Sequence, residues 1–494
     1  LTKKNKVVLI NIRGVKTSFF NKHLKSGTLV NIAKYLKNNG TRWDMVSYPG
    51  TNRIANQASY FTGKTPSYLN ISTLYTLKKS SRQTQKPEKN LSRIVRNDDQ
   101  LLLRFFNKSG AILVDPIMGR NTLSLWDKYR QRWWQSYAER NKHWEMLDRI
   151  STSMLTKYIG KDYDFLRVSY RSSEKLAKMH GPESEQAQYA LELIDFQIGR
   201  IFEYLEKKNK VDDTLVILQF QAAFSEKREE LDLCQLLEKS HEITCGKPGA
   251  RPGKEMMVLQ SGNALAGIYL KPQSGNWQEQ ARFNENDKQK HGLAQALTKN
   301  DGIEHVMYRS DKDKIKIYAG WGTSQISWNR DRLFYKVLSG NDPFNLNQKK
   351  TALSAYESYD HTINSRYPDV LYQVRELFRM ADAPDIILNA KRGYVFGQNS
   401  KSILSFGSLN TEHQLLPVFT NVQTGFKVRR PNDLYHFILR QTREDKKAAQ
   451  DEEKNSQRDD NPQAKKERQG QPPKKHGNRP RHHRSKRKNQ VKKD

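Results

Sequence analysis

The stretch from Glu185 to Phe220 restricts the fold more than any other part of this chain. Between Glu185 and Leu205, the residues Ala187, Leu191, Ile194, Ile198, Phe202 and Leu205 recur at three- and four-residue spacing, one apolar stripe of an amphipathic helix. Asp212-Asp213 then supplies a turn, and Leu215 to Phe220 follows as a short, apolar, β-branched run. A strand buried on both faces of a parallel sheet has this composition. A second such run, Val7-Val8-Leu9-Ile10-Asn11-Ile12, opens the chain. Strand and helix patterns alternate elsewhere too, which predicts an α/β fold with a mostly parallel sheet and helices on both faces. Sheets of this kind run beyond ~250 residues as one domain, so a single large body is expected. No uninterrupted apolar run approaches the ~20 residues that span a bilayer.

The connections carry a further pattern. Ser26-Gly27-Thr28-Leu29 opens a helix to Asn38, and Ala58-Ser59-Tyr60-Phe61-Thr62-Gly63 closes the next motif. Gly181-Pro182-Glu183-Ser184 precedes the long helix. Later come Gly262 to Lys271, Asp301 to Arg309, Tyr367-Pro368-Asp369, Ala383 to Leu388, and Ser405-Phe406-Gly407-Ser408-Leu409-Asn410. This order resembles the alkaline-phosphatase-like superfamily, in its nucleotide pyrophosphatase/phosphodiesterase and sulfatase branches. The resemblance runs from about Val7 to Gln441 and is not visible between about 75 and 165. It implies an alkaline-phosphatase-like domain over 1–442 carrying an aromatic-basic insertion at about 75–165.

The resemblance also implies a two-metal centre, and there this chain departs from it. In relatives the strand before position 221 ends in Asp-His, both metal ligands, whereas here Gln221-Ala222 follows Phe220. The first strand's metal-binding aspartate is replaced by Arg13, and the nucleophile position, counted back from Thr62-Gly63, falls on Arg53. Thr51 lies two residues away. The Asp and His that precede Gly181-Pro182 in relatives become Glu174 and Lys178, and the last histidine becomes Phe406. Catalytic zinc needs carboxylate or imidazole ligands to raise a nucleophile and clamp the transferring oxygens. Arg13, Arg53, Lys178, Gln221, Ala222 and Phe406 supply neither; Glu174 alone could hold a cation. The expectation is a pseudoenzyme with no metal and no cofactor, a scaffold whose Arg13, Arg53 and Lys178 form an anion pocket for phosphate, sulfate or carboxylate. Two alternatives stay open: a residual metal-dependent phosphoric or sulfuric ester hydrolase using Thr51 and Glu174, and a nucleic-acid-associated ribonucleoprotein subunit.

Charge points to partners. The formal net charge is +33. Residues 465–494 hold thirteen Lys or Arg against two acids, which leaves +22 on residues 1–464. Such a field favours polyanions: nucleic acid, anionic lipid or lipopolysaccharide. From 443 to 494 the chain has almost no apolar residues, so a disordered basic tail is expected, reading phosphates by counterion release. Between Leu123 and Ile150 lie Trp126, Trp133, Trp134 and Trp144, half of the eight tryptophans, with Tyr137 and five basic residues interleaved. At helical spacing, Trp126, Trp133 and Tyr137 could serve a protein partner, a membrane surface or stacked bases. The plainer reading packs the aromatics inward and turns the charges outward.

Cys234 and Cys245 are the only two cysteines. Eleven positions apart, they suit either a disulfide in an oxidising compartment or two free thiols. The chain begins at Leu1, which reads as removal of a targeting segment, so an exported (periplasmic, secreted or luminal) location is expected, with the mitochondrial matrix as the alternative. Gly63-Lys64-Thr65 lacks the first glycine of a phosphate loop, and Asp360-His361 reads as surface.

Overall fold

The computed structural model describes residues 3–443 apart from 51–52, 70, 72–73, 75, 79–82, 86–94, 96–99, 114–121, 126–127, 239–242, 246–254, 261–262, 278–286, 347–351, 381 and 398–401. The basic tail and Trp126 lie outside the described residues.

Among the described residues, seven strands make the central sheet: β1 (Lys6–Arg13), β2 (Thr41–Val46), β3 (Ser109–Ile112), β4 (Thr122–Ser124), β5 (Phe165–Ser169), β6 (Thr214–Gln221) and β7 (Leu415–Thr420). Their order is β2-β7-β6-β1-β5-β3-β4. The five strands from β6 to β4 run parallel, and β7 and β2 are antiparallel additions at one edge. Both runs read as buried strands are central: β6 is buried at every residue and β1 at all but its first.

The helix after Gly181-Pro182 spans Glu185–Lys207, here α5. It starts where Ser184 accepts a hydrogen bond from the Ala187 amide, which satisfies one orphan donor of the first turn. All six residues of its predicted stripe are buried. They pack with β1 and β6 in the main core, alongside Leu9, Ile10, Ile217 and Leu218. Four other helices matter below: α1 (Arg53–Thr62), α2 (Lys128–Asn141), α3 (Trp144–Ile159) and α4 (Ser172–His180).

The expectation of a mostly parallel sheet holds for this layer and misses a second sheet. Among the described residues, nine strands between Ile243 and Ala390 form it, and all but one of its pairings are antiparallel. Ile303–Asp311, Lys314–Ala319, Gly322–Asn329 and Arg332–Gly340 are joined by links of only two residues, which hold a meander and leave no room for a helical crossover. Ile315, Ile317 and Ile326 face one core, shared with Leu371, Val374 and Phe378. Val306, Ile268 and Leu388 face another.

Cys234 is disulfide-bonded, and the sequence holds one other cysteine, Cys245, whose side chain lies outside the described residues. Among the described residues, no helix is long and apolar enough to cross a membrane.

Candidate functional site

β1 and β6 lie side by side in register, so their last residues, Arg13 and Gln221, are paired neighbours at the C-terminal edge of the sheet. Ligands of open α/β sheets bind outside such an edge, beside a reversal of strand order. Beyond it both chains turn sharply. Gly14 (φ 79°) and Ala222 (φ 55°) adopt left-handed backbone, and the Gly14 amide donates to the Ala222 carbonyl at 2.8 Å. A side chain at Gly14 would meet the Glu174 Cα and the Phe224 ring, each at 2.8 Å. Glycine there lets α4 close over the end of β1.

That closure brings Arg13, Glu174 and Lys178 together. The Arg13 guanidinium clamps both carboxylate oxygens of Glu174, at 3.0 and 2.8 Å. Lys178, one turn further along α4, reaches Oε1 at 2.6 Å. Burial raises the Glu174 pKa, but Arg13 first and Lys178 next outweigh it and hold the carboxyl at about 2. Ser173 hydroxyl donates to the Arg13 carbonyl at 2.7 Å, which pins the strand end to the helix. The start of α4 is itself capped by Asp148 of α3, which accepts from the amides of Arg171 and Ser172.

Gln221 is enclosed by a polar network. Its amide nitrogen donates to Asn11 at 2.9 Å and to the Tyr60 hydroxyl at 3.4 Å, and Gln57 donates to its oxygen at 3.5 Å. Gln57 and Tyr60 sit three residues apart on α1, so one face of that helix seals the end of β6. Ala222 and Phe406 belong to a small apolar cluster with Ala177, Phe224 and Leu404. The Phe224 and Phe406 rings pack at 5.7 Å, and the Lys178 ammonium lies 5.6 Å from the Phe224 ring centre. Arg53 opens α1, but its side chain and Thr51 lie outside the described residues.

Six of the seven positions named from sequence are thus placed at one strand edge. Sequence reasoning missed Asn11, Gln57, Tyr60 and Phe224, which complete the two networks. The i, i+3 spacing of Gln57 and Tyr60 inside the motif ending at Gly63 was an available signal. Phe224 had none, because its role depends on Phe406 arriving from far along the chain.

Beside this site lies a polar cavity of about 430 Å³, lined by residues including Lys16, Ser184, Ser225, Arg228, Arg392 and Glu412. Lys16 bridges Glu183 and Glu412 at 2.7 and 2.9 Å, and Arg392 also holds Glu412. Ser225 and the buried His413 look like a nucleophile and its base, with Oγ and Nε2 2.8 Å apart. His413 Nδ1 in turn meets the Ser408 amide at 3.2 Å and the Ser408 hydroxyl at 2.6 Å, so the ring is held by a serine on each side. Burial also pushes the His413 pKa down to about 4. Among the described residues, no three His, Cys, Asp or Glu side chains converge as a metal cage.

The mixed α/β body, with a largely parallel central sheet and polar residues gathered at the C-terminal ends of its parallel strands, is alkaline-phosphatase-like. Within that class the chain belongs to the type I phosphodiesterase/nucleotide pyrophosphatase family, whose model matches residues 7–413. Phosphonoacetate hydrolase from Sinorhizobium meliloti, solved with phosphonoformate, is similar at a TM-score of 0.55 and 11% identity, covering 89% of this chain and 96% of that one. An inactive variant of murine ectonucleotide pyrophosphatase/phosphodiesterase 5 in complex with AMP gives 0.51 and 11%, covering 89% and 95%. A variant of the alkaline phosphatase PafA gives 0.53 and 12%, covering 90% and 96%. At such identities these likenesses show the fold alone. No curated protein matches the sequence at a significant level.

Proposed function

We propose that this chain is a non-catalytic member of its family, a scaffold that engages a polyanion or protein partner through its basic surface. One observation carries the reading: the side chains at the family's ligand positions satisfy one another. Glu174 is neutralised by Arg13 and Lys178, Gln221 is held by Asn11, and Phe406 packs on Phe224. A divalent cation there would meet an ammonium, a guanidinium and two phenyl rings, so these residues do not fit the metals of the superfamily.

The anion-pocket reading of Arg13, Arg53 and Lys178 takes a narrower form. Glu174 is itself the anion that Arg13 and Lys178 hold, and an external phosphate would have to displace it. The partner reading rests on the net charge of +33, to which the 465–494 tail contributes a third. The disulfide at Cys234 supports an oxidising, exported location. The test is direct: purified protein is analysed for zinc and manganese and assayed on phosphodiester, phosphomonoester and sulfate ester substrates. Stoichiometric metal with turnover would sink the reading.

A further inference from the structure

The surface helix α2 does not follow the plainer expectation that its aromatics turn inward. Trp134 is partly buried against the main core and Trp144, at the start of α3, is buried. Tyr129, Trp133 and Tyr137 instead face solvent, with 81%, 58% and 37% of their surface exposed. At i, i+4 and i+8 they form one stripe along the helix. Trp133 and Tyr137 lie nearly parallel, their ring centres 5.6 Å apart. Arg140 falls on the same stripe and Arg132 on its flank, both exposed. Glu139, the one acid of the helix, is tied to Lys175 at 2.8 Å.

We propose that this outer face of α2 binds single-stranded nucleic acid, with bases stacked on Tyr129, Trp133 and Tyr137 and phosphates held by Arg132 and Arg140. The chemistry selects this partner. Planar rings in a row with guanidinium groups between them are what an unstacked base and its phosphate require. A helix that inserts into a lipid surface adds aliphatic residues to its apolar face, and Lys128–Asn141 contains no Leu, Ile, Val, Met or Phe. The helix also carries four basic residues against one acid, matching the sign of a polyanion. This inference rests on the polyanion part of the proposed function and not on the state of the strand-edge site.

The test uses the full chain at about 0.3 M salt, which suppresses simple counterion release by the tail. Binding is measured for a labelled single-stranded DNA and RNA of about 20 nucleotides, the matching duplex, and phosphatidylglycerol vesicles. Trp133→Ala is expected to weaken single-strand binding at least about fivefold and duplex binding less than twofold, and Trp133→Phe to restore wild-type affinity. Quenching of tryptophan fluorescence by the single strand should fall in Trp133→Ala. Because Trp133 is largely exposed, unchanged circular dichroism is expected to accompany the loss. Equal weakening for single strand and duplex, or binding that ignores Trp133, overturns the stacking platform while leaving polyanion binding intact. No single-strand binding at about 0.3 M salt overturns the stacking platform, and no binding to either nucleic acid at about 0.05 M overturns polyanion binding as well. A loss confined to vesicles assigns the face to lipid instead.

Discussion

Arg13, the last residue of β1, clamps both carboxylate oxygens of Glu174, the third residue of α4, at 3.0 and 2.8 Å. The pair joins a strand end to a helix across the edge where this family's chemistry is expected. Both partners are buried, with side chains 8% and 6% exposed, so each depends on the other for its charge.

Removing one partner should therefore destabilise more than removing both. Arg13→Ala leaves Glu174 buried beside Lys178 alone, and a loss of about 3 kcal/mol is expected from broken buried pairs. The double variant Arg13→Met/Glu174→Met should lose less. Denaturant titration of the three proteins reads the difference.

The same pair sets a pH dependence. The folded Glu174 pKa of about 2 lies below the ordinary value of 4.5. Its contribution is therefore full above pH 4.5 and fades as pH falls toward 2. Histidines act over a higher window. Burial first, and for His305 full enclosure under Trp321, Phe344 and Tyr367, push His305 and His413 down to about 4 from 6.5. Each stays neutral in the fold while the unfolded chain binds a proton, so stability should decline as pH falls from 6.5 to 4. That decline amounts to roughly 3 kcal/mol for each ring. Melting curves of His305→Gln against wild type across this range should show the variant less acid-sensitive.

Backbone shape at the strand ends makes opposite predictions for two neighbours. Ala222 holds φ at 55°, so Ala222→Gly should stabilise by up to about 1 kcal/mol, as left-handed backbone favours glycine. Gly14→Ala should destabilise by about 2 kcal/mol or more, because its φ is 79° and its new Cβ would press on Glu174 and Phe224 at 2.8 Å. Thermal unfolding of both variants checks the sign of each.

If Glu174 is the resident anion, freeing its partners should open the pocket. Wild-type protein should show no rise in Tm with millimolar phosphate, whereas Glu174→Gln should gain one. A phosphate-dependent rise in wild type and none in Glu174→Gln would mean that the carboxylate is not what fills the pocket.

The parts of this fold legible in the sequence were those with local patterning. The stripe from Ala187 to Leu205 and the run from Leu215 to Phe220 each state their own burial, and the strand-edge positions followed from the motifs that frame them. The antiparallel meander was missed although Ile315 and Ile317 alternate with polar neighbours, because short two-residue links there carry only weak turn signals. The partners of the site were hidden for a different reason. Phe224 meets Phe406, and Arg13 meets Glu174, only after widely separated segments fold together. On α2, spacing alone placed the aromatics on a stripe but did not decide which way the stripe faces; exposure of Tyr129, Trp133 and Tyr137 does.

In the proposed function, side chains at the family's ligand positions hold one another in place of metal. Elemental analysis of purified protein after incubation with zinc or manganese, run beside phosphodiester, phosphomonoester and sulfate ester assays, tests it most directly. Substoichiometric metal, and turnover no greater than that of a Glu174→Gln control, are expected. Stoichiometric metal, with turnover that Glu174→Gln abolishes, would contradict it.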